Sequence, residues 1–241
     1  WFAKNIVNRT WSWIIGRGII HEPDDIRDDN PPSNPELLAY LEQELVSNRY
    51  DLRHLKRLIF TSTTYQFSSI PRYKGPEARA NFASYLLRRV EAEVLIDALN
   101  DITGSSDLYT SAVPEPFTYI PKDMTAVQVA DGSVSSSFLT LFGRSSRSTG
   151  MENERVNELA SPQWLYMLNS ATIQAKLQSG PKLAALVSAG GTPKEIAERL
   201  YLTILSRLPT DADIQIAEEY AKAGAAKGRD LWIDLAWALI N

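Results

Sequence analysis

Apolar residues recur every three to four positions along most of this chain, and one long stretch breaks the rhythm. In WFAKNIVNRTWSWII, Phe2, Ile6, Trp13 and Ile14 fall at helical spacing, and Gly16 and Gly18 supply the left-handed positions where a helix stops, so a first helix should end near Ile15. A second is announced by Asn34 as N-cap, Pro35 at the first helical position and Glu36 in the first turn, followed by a stripe of Leu37, Leu38, Leu41 and Leu45. Asp51 caps a third, running to about Thr61, with Leu52, Leu55, Leu58 and Ile59 on one face and Arg53, Lys56 and Arg57 elsewhere. The polar, Pro- and Gly-broken SSIPRYKGPEARANF reads as a connecting loop. Beyond it Val90, Val94, Leu95, Ala98 and Ile102 mark another helix, which ends at Gly104.

From about 105 to 150 the pattern changes: prolines recur, and TAVQVADGSVSSSFL places β-branched residues around Asp131-Gly132, a pair suited to a tight hairpin turn. Helical grammar then resumes. Ser161 and Pro162 open a segment with Leu165, Leu168 and Ile173; Thr192, Pro193 and Glu195 form a capping box before Ile196, Leu200 and Ile204; Thr210 caps a helix around Ile214 and Ala217; a last helix starts near Arg229. The expected fold is all-α: one multi-helix domain over 1–241 whose finer division is two helical lobes, 1–104 and 151–241, joined by an irregular 105–150 excursion with room for one β-hairpin.

Composition narrows the functional classes. A 44% apolar content suits a globular core, and 25 basic against 29 acidic residues give a net charge of -4. That field does not draw phosphate backbones, so nucleic acid is not the expected partner, and LRHLKRL is not read as a DNA-reading helix. Cysteine is absent, which removes disulfides, thiolate chemistry and haem attachment through C-x-x-C-H; no cofactor is expected in this chain. No apolar run reaches the roughly 20 residues of a membrane-spanning helix. The chain starts at Trp1 without a cap and stops at Asn241 without one, so a piece of a longer protein is expected.

Three polar sets carry candidate chemistry. HEPDDIRDDNPPSNPELL holds six carboxylates and one imidazole. Its His21, Glu22, Asp24, Asp25, Asp28 and Asp29 offer donors to a hard cation, but the spacing fits no EF-hand, and the same acids can cap helices or pair with Arg9, Arg17 or Arg27 in a Pro-stiffened corner. Arg88, Arg89, Glu91, Glu93 and Asp97 form a second set; positions 89, 93 and 97 share a helix face, suited to acid/base work if turned inward and to a salt-bridged strut otherwise. Arg144, Arg147, Glu152, Glu154 and Arg155 form a third, able to bind an anionic sugar or to neutralise itself. His54 reads as part of a solvated face, and Trp11 and Trp13 cannot both point inward. No nucleophile elbow, P-loop or dinucleotide fingerprint is present.

Taken in order, FAKNIVNRTWSWIIGRGIIHEPDDIRDDNPPSNPELL, YDLRHLKRLIFTSTTYQFSS, LRRVEAEVLIDALNDITG, LFGRSSRSTGMENERVN with LNSATI, and LYLTILSRLPT resemble the domain of unknown function 1553 (DUF1553) over nearly the whole chain. The resemblance implies the C-terminal part of large planctomycete-type proteins, exported to the periplasm or cell surface, with sibling domains upstream that often include a c-type cytochrome segment. It assigns no reaction. Many members carry a cysteine in the stretch beginning near Phe142, and this chain does not. The expected role is an accessory or interaction domain working with sibling domains or a polysaccharide. The alternative is a hydrolase or redox-linked enzyme acting on extracellular glycans through the acidic-loop carboxylates. Convergence of Asp24 or Asp25 with Glu91, Glu93 or Arg144 would favour the enzyme, and local neutralisation of each acid the accessory role.

Overall fold

The computed structural model describes residues 1–111, 113–129, 134, 136–145, 155–156, 159–224 and 226–241. Regular structure among them is helical, apart from one antiparallel bridge between Ser111 and Val134. None of these helices is long and apolar enough to cross a membrane. The chain divides into two compact units, one built from Trp1–Arg89 and the other from Val90 to the C-terminus, with Arg155 belonging to the first.

The first unit holds α1 (Phe2–Ile15), α2 (Pro35–Ser47), α3 (Leu52–Phe60) and the short α4 (Pro76–Ala80). Local chemistry sets their ends. Gly16 closes α1 with φ 95°, the Asn34 side chain accepts from Leu37 N–H, and Asp51 accepts from Arg53 and His54 N–H. Helix α1 packs on α2 and α3 around Val7, Trp11, Leu41, Leu45, Leu55 and Ile59. Trp11 is buried while Trp13 is half exposed, as two nearby residues on different faces must be. Helix α4 falls inside the stretch expected to be all loop; Pro76 at its first position starts a turn that composition alone hides.

The second unit is built around α5 (Ala92–Thr103), with a 3-10 turn η1 (Ala126–Gln128), α6 (Ser137–Leu141), α7 (Ser161–Asn169), α8 (Ala171–Ser179), α9 (Pro181–Ser188), α10 (Pro193–Leu205), α11 (Asp211–Ala223) and α12 (Arg229–Ile240). Helix α5 touches η1, α6, α8 and α9. Its inward face is Ala92, Ile96, Leu99 and Ile102, whereas Val90 precedes the helix and Val94 is exposed, so the expected stripe is rotated. Gly104 and Gly180 allow the approach of α5 to the α8–α9 junction: a Cβ on Gly104 would lie 2.7 Å from Lys182 Cβ, and one on Gly180 would lie 2.5 Å from the Thr103 carbonyl oxygen. The expected hairpin turn at 131–132 lies outside the described residues. Its flanks are a 3-10 turn and a helix, because the Ser136 hydroxyl caps α6 where a second strand was expected.

Candidate functional site

The acidic corner of the first unit is held by a neutral side chain. Asn8, fully buried on α1, donates through Nδ2 to the Ile20 carbonyl at 3.0 Å and the Pro23 carbonyl at 3.2 Å, and its Oδ1 accepts from Ile20 N–H at 2.9 Å. Asn30 Nδ2 donates to the carbonyls of His21 and Asp25, and Ser33 donates to that of Ile19. The charges lie outside this frame. Asp24 meets Arg9 at 2.5 Å, Arg27 meets Asp25 at 2.6 Å and Asp29 at 3.5 Å, and His21 stands 3.7 Å from Glu22; Asp28 is exposed. Arg17, a third expected partner, donates to the Ala80 carbonyl instead. No three His, Asp or Glu residues converge as a cation ligand set among the described residues.

In the second unit the polar groups go inside. Gly143, with φ 81°, is the left-handed residue after α6, so Arg144 N–H reaches back to the Leu139 carbonyl at 2.9 Å and Gly143 N–H to that of Thr140 at 3.1 Å. This closure delivers the Arg144 side chain to buried Glu93, with Nε 3.4 Å from Oε1, and to the Val129 carbonyl at 2.7 Å. One turn along α5, Asp97 accepts from Ala126 N–H at 2.7 Å and Val127 N–H at 2.9 Å, capping η1. A further turn on, Asn100 Oδ1 accepts from Lys176 Nζ at 2.6 Å, and the same ammonium lies 3.1 Å from Asp107 and 3.2 Å from Ser105. Glu93, Asp97 and Asn100 thus make one polar face of α5, each linked to a segment distant in sequence. Above this face, burial and then Asp107 and Asp97 push the Tyr109 phenol up to about 12.

The charged groups of this face all meet protein partners. Ser105 accepts from Lys176 at 3.2 Å and donates to the Asn100 amide oxygen at 2.9 Å, with the Thr103 hydroxyl also 2.9 Å away. Glu93 and Asp97 are spent on a guanidinium and on backbone N–H groups. Arg88 closes α1 by donating to the Ile14 carbonyl at 3.2 Å. Arg89 precedes α5, so the expected 89/93/97 row loses its first member; burial holds its guanidinium below the usual arginine value. Arg147, Glu152 and Glu154 lie outside the described residues.

The family model described as "PSD1: Protein of unknown function (DUF1553)" matches residues 1–221 of the 241-residue chain. The chain belongs to the DUF1553 family. No curated protein and no solved structure matches it. In this DUF1553 chain Asp24 pairs with Arg9 and Asp25 with Arg27 in the first unit, and Glu93 pairs with Arg144 in the second. Sequence reasoning missed Asn8, Asn100, Asp107, Tyr109 and Lys176. It also set His54 in solvent, whereas its Nε2 lies 2.9 Å from Glu44 on the neighbouring helix. The one available signal was polar residues standing inside apolar helices, as Lys176 does between Ile173 and Leu177.

Proposed function

We propose that this DUF1553 chain is an accessory docking domain in an exported multidomain protein, its partner a sibling domain of the parent chain that works on polysaccharide. One observation carries the reading: helix α7 packs Tyr166 and Met167 on the core and still keeps a second apolar face outside. It buries Gln163, which donates to the Leu141 carbonyl at 3.1 Å and accepts from Ala160 N–H, and it turns Trp164, Leu165 and Leu168 outward at 53%, 60% and 42% exposure. Positions 164, 165 and 168 share one face, and Val156 and Leu159 just ahead of them are also exposed. Scattered apolar residues need no explanation, but a face of this kind on one helix is what a docking surface looks like. Local neutralisation of Asp24, Asp25 and Glu93 supports the accessory role over the glycan hydrolase or redox-linked enzyme.

The test uses the parent protein and the 241-residue chain together. Leu165→Glu with Leu168→Glu should leave the melting temperature of the isolated chain unchanged and weaken its association with the upstream sibling segment at least tenfold. Undiminished association would refute the docking role. Turnover of a glycan by the isolated chain that is lost in Asp24→Asn would establish the enzyme in its place.

A further inference from the structure

A cleft of about 370 Å³ in the first unit carries three cations, Arg17, Lys74 and Arg79, among Tyr73, Phe82 and Tyr85, and no carboxylate lines it. Arg17 is fixed rather than floating. Its guanidinium stacks 5.0 Å over the Phe82 ring and donates through Nη2 to the Ala80 carbonyl at 3.3 Å. Glu77, on the same short helix as Arg79, does not line the cleft. No carboxylate of the described residues forms an ion pair with Arg17, Lys74 or Arg79. Burial first, and then the nearby charge of Arg79, hold the Arg17 guanidinium below its ordinary value.

The arrangement departs from how arginines are handled elsewhere in this chain. Arg9, Arg27, Arg144 and Arg207 each meet a carboxylate within 4 Å. Arg17 and Arg79 are instead held close enough to repel, beside a rim of tyrosines, with their donor forks uncommitted to any acid. At the negative end of α1, Arg88 donates to the Ile14 carbonyl and the Gly16 N–H to that of Ser12, so part of that end is already taken by other donors. A planar guanidinium presents paired donors that match a tetrahedral oxyanion, and two such groups with an ammonium match a doubly charged one better than a monocarboxylate.

We propose that this cleft is an oxyanion-binding site that takes the sulfate or phosphate group of a small molecule, with Arg17 and Arg79 as the forks and Lys74 as a third charge at the rim. The site is independent of the docking face on α7. It is tested on the 241-residue chain by titrating sodium sulfate, sodium phosphate and sodium chloride at matched ionic strength, following the Arg17 Nε–H resonance and the melting temperature. Sulfate or phosphate should move the resonance saturably and raise the melting temperature, and chloride should do neither. Methyl sulfate against methyl phosphate then ranks the two esters. Arg79→Gln, an exposed position, should weaken the anion at least about tenfold, the loss of one charge-assisted contact, while keeping or raising the melting temperature in chloride because the repulsion with Arg17 is relieved. Equal responses to all three salts, or an Arg79→Gln protein that responds as the parent does, would overturn the assignment.

Discussion

The acidic corner of the first unit and the polar face of α5 in the second use similar side chains to different ends. The corner has the denser run of carboxylates, yet its Arg27–Asp25 pair is wet, at 59% and 42% exposed, its Arg9–Asp24 pair is about a quarter exposed, and what orders the loop is the fully buried amide of Asn8. The α5 face has fewer charges, and its Glu93–Arg144 pair is only 9% and 11% exposed. Exposed pairs contribute little because water screens them, while a buried charge that loses its partner is left desolvated and uncompensated. Density of charge in sequence and weight of charge in the structure are therefore nearly opposite here.

The sharpest way to break the comparison is in the corner, with a neutral residue. Asn8→Ala strands the Ile20 N–H and the carbonyls of Ile20 and Pro23, and should cost about 4 kcal/mol in urea unfolding, since each stranded buried group costs roughly 1–3 kcal/mol. Lys176→Ala leaves Asp107 and Asn100 without their shared cation and should cost about 3 kcal/mol by the same measurement.

Tyr109 tests the α5 face from the other direction. Its buried hydroxyl has no hydrogen-bond partner among the described residues, so Tyr109→Phe should raise stability by about 1 kcal/mol. Because folding lifts this phenol from 10.0 to about 12, its contribution is complete below pH 10 and lost as pH rises toward 12. Melting curves between pH 9 and about 12 should fall less steeply for the Phe variant. The smallest effect belongs to the most charged region: Arg27→Gln should change stability by no more than about 0.5 kcal/mol, and high salt should erase the difference.

What could be read from sequence was whatever is written within a few residues. Asn34, Asp51, Thr192 and Thr210 cap helices through bonds to backbone two or three positions on, so their side chains announce helix starts locally. The stripe of α5 was misread because both Val90–Val94 and Ala92–Ile96–Leu99 have helical spacing, and only packing chooses between them. Lys176 and its partners lie 69 to 76 residues apart, and His54 meets Glu44 across a helix pair, so neither contact has a local signature. Asn8 was invisible for a different reason. An asparagine inside a helix ordinarily faces water, and here it faces the corner because Gly18, whose Cβ would lie 3.2 Å from the Asn8 amide atoms, lets the backbone close on it.

The most direct measurement is the urea stability of Glu93→Gln. If Glu93 braces the unit against Arg144, removing its charge takes a carboxylate away from a buried guanidinium and should lower stability by about 2–3 kcal/mol, with Arg144→Met partly restoring it in the double variant. A Glu93→Gln protein as stable as the parent, or more stable, is what a carboxylate kept for chemistry at the expense of folding would give. That result would contradict the bracing account.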